Sequence, residues 1–169
     1  MTRRASGVEI VIEDAQWKAA GRGLPARIER IGTFALKRAK AKGTLTLLLS
    51  GDEQLRELNT LFRGKNKPTN VLSFPADKTE LGYLGDVAIA YGVTAREAAK
   101  TNKTVAEHTV HLAVHGILHL LGYDHEKPRP ALIMERLEAE ILAEFGIADP
   151  YALPQPKRKA KSAKRHVRS

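Results

Sequence analysis

Three histidines that could bind one metal ion occur in the segment HGILHLLGYDH, residues 115–125. His115 and His119 are one helical turn apart, so their imidazoles can reach the same ion. Gly122 can end the helix in a left-handed conformation, which turns the chain back and brings His125 toward the other two. The spacing therefore predicts a metal site with these three ligands. Zinc is favoured for three neutral imidazoles, although nickel, iron or copper would fit the same set.

The histidine spacing equals that of the metzincin peptidases, in which a glutamate follows the first histidine and acts as general base. Gly116 stands at that position in this sequence. The group that would serve peptide hydrolysis is therefore absent from its expected place. A metallopeptidase is one alternative hypothesis. A protein whose zinc is structural is another, in which a fourth protein ligand would leave no position for a substrate.

Four histidines share one side of a helix that the pattern predicts over residues 105–121. At about 100° per residue, His108, His111, His115 and His119 lie within a stripe of roughly 80°. The remaining positions are mostly apolar, which predicts a buried central helix with the metal site at its end. Buried imidazoles need polar partners, so we expect His111 to contact the substrate or a side chain that orients a ligand.

The site is predicted to sit in one small domain of mixed α/β (α+β) type, formed by residues 1–152. Apolar runs predict four short strands, which would form one small mixed sheet, and helical spacing predicts about five helices packed with it. The second helix should be capped by Asp52 and carry Leu55, Leu58 and Leu61 on one side. The strands are expected at residues 8–12, 45–49, 71–74 and 86–90, and the helices at about 25–40, from 52, and at 94–101, 105–121 and 130–145.

Composition limits the setting of this domain. The chain has 169 residues, of which 43% are hydrophobic, and this is enough for one soluble domain with a core. It has no cysteine, so neither disulfides nor thiolate ligands contribute, which fits a cytoplasmic location. We expect no signal peptide and no membrane-spanning segment, because no apolar run is long enough for either.

The net charge of +9 is concentrated near the C-terminus. Residues 153–169 are predicted to form a basic, disordered tail that is attracted to polyanions such as RNA or a ribosomal surface. A solubilising tail without a specific partner is the alternative. The tail has seven cationic residues and no acid: Lys157, Arg158, Lys159, Lys161, Lys164, Arg165 and Arg168.

The histidine segment resembles the signature of the YbeY family, bacterial endoribonucleases that cut single-stranded RNA and mature rRNA. Further segments also resemble that family, and together they cover most of residues 45–140. They are NTLFRGKNKPTNVLSFP at residues 59–75, LGDVAI at residues 84–89 and the pair Met134 and Glu135. One departure is Asn70, which stands where the family usually has aspartate.

The resemblance implies a zinc-dependent, single-strand-specific endoribonuclease that hydrolyses phosphodiester bonds in rRNA maturation and ribosome quality control. It implies His115, His119 and His125 as zinc ligands and Arg63 as a functional cation in the active-site groove. Three imidazoles leave a fourth position on the ion open to water or a phosphoryl oxygen. Arg63 could pair with the scissile phosphate through two parallel hydrogen bonds.

Other candidate residues have weaker signals. Asp124 is next to the third histidine, where it could accept a ring N–H, carry a proton or simply cap the turn. Lys65 and Lys67, close to Arg63, could attract phosphate. The expected partners are single-stranded RNA, rRNA and the ribosome or its proteins, with no membrane and no DNA specificity. Neither spacing nor composition identifies RNA, so a non-enzymatic ribosome-assembly factor containing zinc is also an alternative.

Overall fold

Three parallel strands and one antiparallel strand form the sheet on which the helices pack. The computed structural model describes residues 6–77 and 81–152, so the predicted basic tail at 153–169 lies outside the described residues. The sheet order is β1-β2-β4-β3, and β3 runs antiparallel to β4 at one edge. The small mixed four-stranded sheet predicted from the sequence is confirmed. Its strands are β1 (Ser6–Ile12), β2 (Gly43–Ser50), β3 (Val71–Pro75) and β4 (Tyr83–Ala90).

Within the described residues five α-helices pack with this sheet, as predicted. Two begin earlier than expected, because the third follows β4 without an intervening loop and the fifth starts at a proline, a residue that suits the first helical position. A short 3₁₀ helix at Ala15–Ala20 was not predicted. The α-helices are α1 (Leu24–Arg38), α2 (Asp52–Arg63), α3 (Tyr91–Lys100), α4 (Val105–Leu120) and α5 (Pro128–Glu144).

Asp52 has a different role from the predicted one. It is the first residue of α2, and Gly51 occupies the capping position. The Asp52 carboxylate instead accepts a hydrogen bond of 2.9 Å from the backbone N–H of Val93, in the first turn of α3, and pairs with Arg96 at 2.9 Å. The prediction that Asp52 caps its own helix was wrong, because only the tertiary structure brings the start of α3 to this side chain.

Alternating strand residues divide the core between the two faces of the sheet. On one face Leu45, Leu47, Val87 and Ile89 pack with α1, α4 and α5 in the larger buried cluster. On the other face a smaller cluster contains Leu55 and, partly buried, Leu58 of α2. The third leucine predicted on that side of α2, Leu61, is 74% exposed, so the apolar side of the helix does not continue into its last turn.

Helix α4 is the central helix that the histidine pattern predicted. It begins with a capping box, in which the Thr104 hydroxyl accepts from the Glu107 N–H and the Glu107 carboxylate accepts from the Thr104 N–H, both at 3.0 Å. It ends at Leu120, and two residues later Gly122, with a φ of 99° and an N–H bond of 3.0 Å to the His119 carbonyl, gives the predicted left-handed turn. None of the helices in the described parts of the chain is long and apolar enough to cross a membrane.

Helix α4 packs closely against the sheet at Gly116. A Cβ atom at this position would lie 2.6 Å from a methyl carbon of Val87 and 3.0 Å from a methyl carbon of Val71. The Ser73 hydroxyl of β3 also donates to the Gly116 carbonyl at 2.7 Å. The residue after the first histidine therefore faces the sheet, and no side chain fits between the helix and β4.

We predict that Gly116→Ala lowers the free energy of unfolding by about 1–2 kcal/mol, because overpacking outweighs the better helix propensity of alanine. Chemical denaturation monitored by circular dichroism measures the change. Gly23→Ala is the matched control, since a Cβ there has nothing within 4 Å. Equal stability of the two variants would contradict the close packing of α4 on β4.

Candidate active site

The three histidines predicted as metal ligands come together at the C-terminal end of α4. One ring nitrogen from each of His115, His119 and His125 lies within 4.8 Å of the others. The ring centroids are 4.6 to 5.3 Å apart, and the ring planes are steeply inclined to one another. Within residues 6–77 and 81–152, this is the only group of three or more histidine, cysteine or acidic side chains placed to hold a metal ion.

The protonation of His119 suits a cation. Burial, and then the neighbouring charges of His115 and His125, lower the pKa of His119. A lowered pKa keeps the imidazole neutral, and the neutral ring is the form that binds a metal. Three imidazole nitrogens without a thiolate form the kind of donor set that zinc accepts. The residues present therefore fit a zinc ion or a similar divalent metal.

A buried glutamate from α5 holds the first histidine of the cluster. Glu138 is 0% exposed. Its carboxylate accepts from Nδ1 of His115, and its other oxygen contacts Nε2 of His111 at 3.2 Å and the Tyr151 hydroxyl at 2.5 Å. A proton fixed on Nδ1 of His115 leaves Nε2 of that ring as the lone-pair donor. Glu138 thus sets both the tautomer and the orientation of the ring.

These donors also keep the Glu138 carboxylate ionised. Burial alone would raise the pKa of Glu138, but hydrogen bonds from His111, His115 and Tyr151 outweigh burial and lower that pKa to about 2. Burial raises the pKa of the Tyr151 hydroxyl, and the nearby carboxylate raises it further. The phenol therefore stays protonated and remains a hydrogen-bond donor to Glu138.

Sequence reasoning missed Glu138 and Tyr151. Glu138 lies on the apolar side of α5, four residues after the buried Met134 and three before the buried Ile141. An acid at a core position needs a partner, so this placement was a signal that could have been used. Tyr151 had no comparable signal, because it lies after α5, outside any helix or strand with a periodic pattern. It is held in a turn, where its backbone N–H donates to the Asp149 side chain at 2.8 Å.

His111 and Asp124 lie close to the cluster in sequence, but their contacts are of a different kind. His111 directs Nε2 toward Glu138, so it shares that carboxylate with His115. The exposed Asp124 accepts a 3.0 Å hydrogen bond from the backbone N–H of Glu126, which is the turn-capping contact considered for this residue. The structure thus connects His111 to the cluster through Glu138 and places Asp124 in the turn that carries the third histidine.

The fourth histidine of the stripe belongs to a separate polar group. Nε2 of His108 lies 2.8 Å from the Glu97 carboxylate, and the side-chain amide of Asn70 donates to the same carboxylate oxygen at 3.0 Å. An aspartate at position 70 would place a second negative charge beside Glu97. The amide of Asn70 is therefore the form that fits this contact.

The predicted cations are displayed by the end of α2 and the loop after it. Arg63, Lys65 and Lys67 are all exposed, and in the described residues none of them forms an ion pair. The loop backbone is anchored by the buried Asn59, whose side chain donates to the Lys67 carbonyl at 2.9 Å and whose carbonyl accepts from the Lys65 N–H at 3.2 Å. The loop leads into β3, where Ser73 contacts the carbonyl of Gly116, the residue after His115.

We predict that nitrogen-detected NMR of the metal-free protein shows His115 as the Nδ1–H tautomer. In Glu138→Gln the acceptor charge is lost, so a mixture of both tautomers is expected at His115. The matched control is Glu97→Gln, which removes the carboxylate partner of His108 and should leave the His115 signals unchanged. An Nε2–H tautomer in the unsubstituted protein would contradict the assigned role of Glu138.

Comparisons with protein families and with related sequences agree on one family. A family model described as Endoribonuclease YbeY matches residues 11–146. Many relatives carry the same name, and three of them illustrate their similarity to this chain. The Maricaulis maris relative is 40% identical over 153 residues, 89% of this chain and 95% of its own length. The Nitrobacter winogradskyi relative is 46% identical over 92% of this chain and 87% of its own length. The Stenotrophomonas maltophilia relative is 44% identical over 90% of this chain and 98% of its own length.

A solved structure has a similar fold. The solution structure of TM1509 from Thermotoga maritima aligns with a TM-score of 0.53 and 24% sequence identity. The alignment covers 82% of this chain and 91% of that protein. The two proteins therefore share a fold over most of the length of this chain.

Proposed function

This chain belongs to the YbeY family of endoribonucleases, and from this premise we propose that it cleaves single-stranded RNA with a metal ion held by His115, His119 and His125. It is a hydrolase that acts on RNA, as its relatives' name states. The observation that carries the metal-dependent part is the meeting of three imidazole nitrogens within 4.8 Å, one of them on a ring oriented by Glu138.

Zinc is the metal we propose first, and nickel or another divalent ion fits the same donors. When bound, such an ion supplies Lewis-acid polarisation of a phosphoryl oxygen and lowers the pKa of water. The protein's own contribution is to hold the donors. His115 is fixed by Glu138, while the turn at Gly122 returns His125 toward α4. In this proposal His111 and Asp124 are positioning residues, which act on the Glu138 carboxylate and on that turn.

Arg63, Lys65 and Lys67 are proposed to bind the RNA backbone. A guanidinium can form two hydrogen bonds with a phosphodiester and offset the negative charge that develops during cleavage. The two lysines add attraction for neighbouring phosphates. Asn59 anchors the loop backbone, so the backbone positions from which Lys65 and Lys67 extend are held in place before RNA arrives.

Two alternatives are less well supported. A metallopeptidase would need a general base after the first histidine, and Gly116 faces Val87 with no room for a side chain. A purely structural zinc would need a fourth protein ligand. In the part of the chain that the structure describes, the histidine group has three members. Three ligands favour a site that leaves one position for a reactant.

We further propose rRNA as the natural substrate, with the ribosome or its proteins as partners in rRNA maturation and ribosome quality control, and the cytoplasm as the location. The basic residues between 157 and 169 support this proposal, because seven cations without an acid favour contact with phosphate-rich surfaces. The domain at residues 1–152 would then carry the chemistry, and the tail would increase the attraction to RNA.

We predict that the purified protein binds one zinc ion per chain and that His119→Ala lowers the affinity for zinc by more than 100-fold. The loss should exceed the roughly 10- to 100-fold effect expected for Glu138→Gln, which removes only the partner of a ligand. Competition with a chromophoric chelator measures the zinc affinity of each variant. His108→Ala is the matched control, because His108 lies on the same stripe but contacts Glu97. Equal affinities for all four proteins would contradict the site.

We predict that Arg63→Glu reduces cleavage of end-labelled single-stranded RNA by about 100-fold or more while the zinc content stays unchanged, as loss of one charge-stabilising donor typically does. Arg22→Glu makes the same charge change near β1, at the opposite edge of the sheet, and should cleave normally. Cleavage that survives chelation, or equal rates for both variants, would contradict the proposed function.

A further inference from the structure

An exposed aromatic ring lies at the end of α2, next to the proposed phosphate-binding cations. Phe62 is 62% exposed. Its ring centroid is 5.0 Å from that of Phe74 on β3, with the two planes inclined at 57°. Phe74 therefore supports the Phe62 ring from one side, and much of the ring remains in contact with water. Covering such a ring with a partner removes apolar surface from water, which favours binding.

The charges around Phe62 indicate what kind of partner this is. Arg63 follows it directly in the chain, and Lys65 and Lys67 lie in the loop held by Asn59. All three cations are exposed. A flat apolar ring beside exposed positive charges matches a single-stranded nucleic acid, in which a base stacks on the ring while neighbouring phosphates meet the cations.

Strand β3 links the ring to the helix that carries the histidine cluster. Successive side chains of a strand point to opposite faces, so Ser73 reaches α4 while Phe74 contacts Phe62 on the other face. Among the strands of the described residues, β3 lies at the edge of the sheet beside β4. An RNA strand that crosses this edge would pass from the face that carries Phe62 to the face on which α4 lies.

We propose that Phe62 is a stacking platform for an unpaired base of the RNA substrate, with Arg63, Lys65 and Lys67 on the flanking phosphates. This inference rests on the proposed function and adds to it the reason for single-strand preference. In a duplex, the faces of the bases are already stacked on one another and are not available to a protein ring. The platform accepts any base, since every base has a π-face.

The first test compares the steady-state kinetics of zinc-loaded variants on single-stranded RNA. Phe62→Ala is expected to raise KM roughly 5- to 50-fold, which corresponds to the usual value of stacking one base, with kcat little changed. Phe62→Trp should restore KM, whereas Phe62→Leu, which keeps apolar contact with Phe74, should not. Leu61→Ala is the matched control, because Leu61 is the adjacent and still more exposed apolar residue.

The second test measures base stacking through the fluorescence of a tryptophan placed at position 62. The native Trp17 is 2% exposed, so in Phe62→Trp the introduced indole is the fluorophore that RNA can reach. Rapid mixing with poly(U) should quench its emission before cleavage, and mixing with double-stranded RNA should not. Quenching by an apolar peptide but not by poly(U) would assign the ring to a protein partner and overturn the proposal.

The two proposals fail in distinguishable ways. If the unsubstituted protein cleaves RNA and Phe62→Ala has the same KM, the platform is wrong while the endoribonuclease function stands. If the unsubstituted protein does not cleave RNA, the proposed function is wrong, and the quenching experiment still decides whether a base stacks on this ring. Thermal unfolding of each variant checks that Phe62→Ala has not acted through lost packing on Phe74.

Discussion

The structure depends on one buried carboxylate, that of Glu138, and on the three groups that donate hydrogen bonds to it. A charge in a protein interior is costly unless hydrogen bonds replace the lost water. Glu138 meets this requirement with His111 and His115 from α4 and with Tyr151 from the segment after α5. Three parts of the chain are therefore tied at one point. That point also orients the first ring of the histidine cluster.

Helix α4 serves two purposes that compete for its surface. One side packs into the core through Leu112, Val114 and Ile117, and at Gly116 it lies so close to β4 that no side chain fits. The other side carries the histidines. A peptidase-type general base would have to come from the packed side, and the requirement for close packing excludes it. The same helix can hold a metal while leaving peptide hydrolysis without its base.

The edge strand β3 connects the basic loop after α2 with helix α4, which carries the histidines. Before it lies the basic loop, whose backbone Asn59 fixes. Within it Ser73 contacts α4 and Phe74 contacts Phe62, on opposite faces of the sheet. The edge strand thus joins a segment with positive charge and an exposed aromatic ring to the helix that carries the histidine cluster. Such an arrangement suits a long, flexible, negatively charged chain better than a compact ligand.

Local spacing by itself determined much of this protein. Three features could be predicted from residues that are close in sequence: the spacing of His115 and His119 on one helix face, the turn at Gly122 and the four strands. Only the tertiary structure decided that Glu138 holds His115, 23 residues away, and that Asp52 meets Val93, 41 residues away. Periodicity specifies which residues share a face of their own helix or strand. It does not specify which residue lies opposite that face, because that is set by how the elements pack.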